Sequence, residues 1–76
     1  MNAPAIGSRW RHRLSGNVYE YVGPAIDSDH EDGSPDTYCH AVRVVELAPK
    51  PEEFLSLGHR MAVEPAWFGR AATEVR

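Results

Sequence analysis

Residues 9 to 14, RWRHRL, alternate strictly between two kinds of side chain. Trp10, His12 and Leu14 fall on one side, Arg9, Arg11 and Arg13 on the other, as in a strand with one dry and one wet face. Ser15-Gly16-Asn17 is a turn signal, and beyond it Tyr19 and Tyr21 alternate with Val18, Glu20 and Val22. A two-residue turn at Ser15-Gly16 sets His12 opposite Tyr19, Trp10 opposite Tyr21 and Arg11 opposite Glu20. A turn at Gly16-Asn17 instead sets His12 opposite Tyr21 and Arg13 opposite Glu20. Both registers gather Trp10, His12, Leu14, Tyr19 and Tyr21 on one face, and both give an arginine–glutamate cross-strand pair.

Downstream, Gly23-Pro24 is expected to stop the second strand, and the wholly polar DSDHEDGSPD, 27–36, to form a solvated acidic loop. TYCHAVRVVEL, 37–47, reads as the longest strand and a central one, ended by Pro49 and Pro51. PEEFLSLG, 51–58, has a proline at its start, two glutamates beside the positive end of a helix dipole and Gly58 as a cap. It predicts a two-turn helix whose Phe54, Leu55 and Leu57 cover an open barrel end. HRMAVE, 59–64, predicts a short last strand. Residues 1–6 are expected to be loose, and the tail 71–76 to fray. The sum is one mainly β domain spanning 1–76: a small SH3-like β-barrel with a short helix before the last strand. The alternative is an α+β fold, an antiparallel sheet with one covering helix.

Composition narrows the setting. A chain of 76 residues is near the lower limit for a core without staples, and its aromatic and aliphatic residues suffice for one. Cys39 is the only cysteine, so no internal disulfide forms, and a reducing, cytoplasmic location is expected. No run has the length of a membrane span, and the start MNAPAIGSRW lacks the apolar stretch of a signal peptide.

The net charge of −3 conceals an uneven distribution. Arginines crowd 9–13, whereas Asp27, Asp29, Glu31, Asp32 and Asp36 crowd the loop. The loop does not fit a calcium site. An EF-hand begun at Asp27 needs glycine at position 32 and glutamate at position 38, where the chain has Asp32 and Tyr38. Begun at Ser28, it gains Gly33 but ends on Cys39. Cys39 and the four histidines lack zinc-ligand spacing, and His12 reads as a packed, hydrogen-bonded side chain. There is no nucleophile elbow, phosphate cradle or paired-carboxylate motif, so no catalytic residues and no cofactor are assigned.

Trp10-x-His12-x-x-x-Gly16-x-x-Tyr19 resembles the opening of a family of short bacterial and phage proteins of unknown function that look like small β-barrels. Gly7, Tyr38 and Met61-Ala62-Val63-Glu64-Pro65 fit the same outline, although the family tends to carry an aromatic and an arginine where this chain has Ala62 and Glu64. The resemblance implies a small barrel and a phage or mobile-element context, in which such chains bind and divert a host protein.

The expectation is therefore a non-enzymatic module that binds a protein and acts by binding or inhibiting a host factor. Its acidic residues Asp27, Asp29, Glu31, Asp32 and Asp36 are slightly favoured as the contact surface. The alternative is a barrel that binds single-stranded nucleic acid weakly through Arg9, Arg11 and Arg13.

Overall fold

The computed structural model describes residues 4–26, 29, 37–49 and 56–75. Five strands, β1 (Arg9–His12), β2 (Val18–Pro24), β3 (His40–Glu46), β4 (Arg60–Val63) and β5 (Ala72–Val75), form one antiparallel sheet in the order β4-β3-β2-β1-β5. A single helical turn, α1 (Trp67–Arg70), precedes β5. The fold is mainly β, as the alternating pattern predicts. None of the described helices is long and apolar enough to cross a membrane.

The first hairpin keeps its expected faces but not its expected register. Trp10 lies opposite Tyr19, Arg9 opposite Glu20 and Arg11 opposite Val18. The connection is a four-residue loop, Arg13 to Gly16, closed by His12 N–H on the Asn17 carbonyl and Gly16 N–H on the His12 carbonyl, both 2.9 Å. Side chains hold this longer loop. The Ser15 N–H donates to His12 Nδ1 at 3.2 Å, and the Asn17 N–H donates to Ser15 Oγ at 3.2 Å. Asn17 is itself buried and accepts the Ala48 N–H on Oδ1 at 2.8 Å. A slip of two residues preserves parity, so Trp10, His12, Tyr19 and Tyr21 still share a face. Leu14 does not join them: it sits at the loop tip, 93% exposed.

Strand β2 ends at Gly23-Pro24 as expected, but both residues are still paired, and Val22 is an extra residue between the paired positions Tyr21 and Gly23. The resulting bulge is carried by Gly23 at φ 115°, a conformation open to glycine and strained for other residues. Pro24, the strand's last residue, lies opposite His40, an end position where a missing N–H is tolerated.

The tail after Ala71 is ordered as a strand, a second correction. Ala72–Val75 pairs along all of β1, with Ala72 opposite His12 and Val75 opposite Arg9. The segment 59–64 is therefore the fourth strand rather than the last. Of the expected helix 51–58, residues 51–55 lie outside the described residues. Its end is a turn in which the Gly58 N–H donates to the Val44 carbonyl at 2.8 Å, and Leu57, expected to cover the core, is 62% exposed. The short helix before the last strand is instead α1, where Phe68 and Gly69 leave helical geometry and Gly69 reverses the chain at φ 101°.

That reversal places Trp67 and Phe68 on the aromatic face of the sheet. They pack with Tyr19, Tyr21, Val42, Val44, Val63 and Ala72 as the buried cluster, flanked by Trp10, Leu47, Met61 and Ala71. Phe68 is the hub. Its ring meets Trp10, Tyr21 and Trp67 edge-on at centroid distances of 5.2, 5.3 and 5.1 Å, the favoured geometry for aromatic quadrupoles.

Candidate functional site: the charged face of the sheet

Because side chains alternate across a strand, the residues between those of the core build a second face. Its central row follows directly from the strand registers: Val75, Arg9, Glu20, Arg43 and Arg60 lie side by side across the five strands. A neighbouring row runs Thr73, Arg11, Val18 and Glu46. With strands about 4.8 Å apart, Arg9 and Arg43 flank Glu20 at a spacing of about 10 Å. The sequence stripe of arginines thus becomes a two-dimensional patch. Arg43 and Arg60 were not singled out from the sequence.

These arginines differ in what already holds them. Arg60 is committed: Nε and Nη2 each donate at 3.0 Å to the two carboxylate oxygens of Asp29, whose side chain is only 2% exposed. Hydrogen bonding to that carboxylate, opposed by partial burial and reinforced by its charge, holds the Arg60 guanidinium above its usual value. Arg43 pairs with Glu20 at 2.5 Å, and the side chains are 47% and 22% exposed. The first hairpin does set an arginine opposite Glu20, Arg9 rather than the expected Arg11 or Arg13, but the ion pair of Glu20 forms with Arg43 on β3. Arg11 donates to the Gly16 carbonyl at 3.0 Å. Arg13 lies in the loop and donates to the Gly69 carbonyl at 2.6 Å, which ties the hairpin to α1. Arg9 is exposed and makes no ion pair among the described residues.

Of the acidic candidates, Asp27, Glu31, Asp32 and Asp36 lie outside the described residues. Asp29 is described, and it is not a solvated loop acid. It is buried, it takes both prongs of Arg60, and it accepts the Ile26 N–H at 3.0 Å. Asp29 thus anchors the segment after β2 to β4.

The aromatic face offers less to a ligand. His12 is packed near Tyr19 and Trp67, at ring distances of 6.4 and 6.3 Å, with Nδ1 occupied by the Ser15 N–H. Tyr21 Oη and His40 Nδ1 lie 2.9 Å apart beside Phe68. Burial, and to a lesser degree the nearby Cys39, hold the Tyr21 phenol above its ordinary value. Among the described residues, no group of three or more His, Cys, Asp or Glu side chains is placed to hold a metal ion. The chain matches no family model, no curated protein and no solved structure.

Proposed function

We propose that this chain is a small non-enzymatic protein-binding module that docks an acidic segment of its partner through Arg9, Arg11 and Arg43. One observation carries the reading: the register gathers these arginines around Glu20 on the face opposite the aromatic cluster. Charge complementarity of this kind steers encounter and fixes the docking register. Single-stranded nucleic acid has less support, because Trp10, Tyr19, Tyr21, Trp67 and Phe68 all belong to the opposite face from the arginines.

The strand order also favours a small SH3-like barrel. β4 and β5 are the two edges, yet only residues 64–71 join them, with a helical turn and a reversal on the way. A flat sheet of this width, about 19 Å from edge to edge, is bridged more easily if it curls toward closure. The resemblance at Trp10, His12, Gly16 and Tyr19 adds a host protein as the partner, a phage-type inhibitor as the role and the cytoplasm as the location.

The test is affinity for a captured partner with each charge set removed in turn. Arg9→Ser with Arg11→Ser should abolish association, while Asp27→Ser with Glu31→Ser, Asp32→Ser and Asp36→Ser should leave it intact. The reverse result would move the site to the acidic loop. Loss of capture on nuclease treatment would favour nucleic acid.

A further inference from the structure

We infer that Glu20 is an internal stand-in for the partner's carboxylate, and that the face takes a carboxylate-bearing peptide segment by displacing Glu20 from Arg43. The inference rests on the proposed use of the arginine face and names the residue that sets its affinity. Glu20 lies in the row directly between Arg9 and Arg43, and its carboxylate already sits on the Arg43 guanidinium. The pair is in solvent contact on both sides, which makes it exchangeable. The Asp29–Arg60 pair next to it is not, because its carboxylate is buried and held by both prongs. Of the two ion pairs on this face among the described residues, only Glu20–Arg43 can therefore open to an incoming acid without uncovering a buried charge. A carboxylate occupies the seat in the free protein, one oxygen on Arg43 Nη2, so the site already binds the functional group that the partner would bring.

The consequence is a residue whose neutralisation strengthens binding. With labelled oligoglutamate as the probe, followed by fluorescence anisotropy at low ionic strength, Glu20→Gln should tighten binding by roughly two- to five-fold. Arg43→Gln should weaken it, and Glu20→Gln should give no gain when Arg43→Gln is already present. Glu46→Gln controls for net charge: it lies on the same face but opposite Val18, and should give a clearly smaller gain. A Glu20→Gln variant that binds no better than the native protein, or whose gain persists without Arg43 or is matched by Glu46→Gln, overturns the inference. Arg9→Ser with Arg11→Ser reports separately: if that pair leaves oligoglutamate binding unchanged, the proposed function falls as well. Tighter binding of oligothymidylate than of oligoglutamate would replace the carboxylate by phosphate.

Discussion

Arg60 grips Asp29 with both prongs of its guanidinium, Nε on Oδ1 and Nη2 on Oδ2, at 3.0 Å each. The pair joins the segment after β2 to the edge strand β4. Arg60→Met keeps the length of the stem and removes the fork, leaving a buried carboxylate without its guanidinium. The expected loss is about 1–3 kcal/mol, read from urea unfolding midpoints. A change within about 0.5 kcal/mol would make the pair a surface ornament rather than an anchor.

Phe68 is the second place where one substitution should be costly. Its ring touches Trp10, Tyr21, His40 and Trp67 and is 7% exposed. Phe68→Ala should lose about 3–5 kcal/mol, enough to unfold much of a domain this small at room temperature. Leu14→Ser at the hairpin tip should change stability by no more than about 0.5 kcal/mol. Loss of near-ultraviolet circular dichroism in the first variant and not the second checks both.

Stability should fall at alkaline pH through Tyr21. Burial raises its phenol above the usual 10.0 in the folded chain, so the unfolded state gives up the proton first. The stabilising contribution is whole below that unfolded value and is lost as pH rises through the raised one. Urea midpoints should drop as pH rises above the usual phenol value of 10.0, and Tyr21→Phe should flatten the fall. An identical slope in the variant would assign it to other groups.

Gly23 supplies the backbone freedom for the β2 bulge. Gly23→Ala forces a side chain onto φ 115° and should cost about 1–3 kcal/mol even though the nearest contact, with Ile6, is an ordinary 3.7 Å. Amide exchange should then rise first at Val22 and Ala41, beside the bulge.

The sequence made the two faces readable and left their partners unreadable. Alternation through Arg9–His12 and Tyr19–Tyr21 assigns each of these side chains to its face of the sheet, whatever the turn. The register itself depends on Asn17, Ser15 and His12 bonding to nearby backbone and on Ala48, a contact across the chain that no local pattern reveals. Strand β5 escaped for a similar reason. ATEV is too short and too polar to announce itself, and it is held by β1 rather than by its own composition. Asp29 looks like any other acid in a polar run; only Arg60, far along the chain, distinguishes it. The arginine patch was half visible: Arg9 and Arg11 stand out by their spacing, whereas Arg43 and Arg60 join them only through the strand registers.

The pairing of β5 with β1 has a consequence for the order of events when the protein is made. Val75 closes on Arg9, so β1 waits for a strand synthesised well after it before its outer edge is filled. Contacts between residues so distant in sequence slow folding. Until they form, β1 exposes a row of unpaired backbone groups beside Trp10, the kind of edge that recruits other chains. Synthesis of this protein should therefore pass through a nascent stage, β1–β4 without β5, that is aggregation-prone and attractive to chaperones, and its hazard ends only when the fifth strand docks.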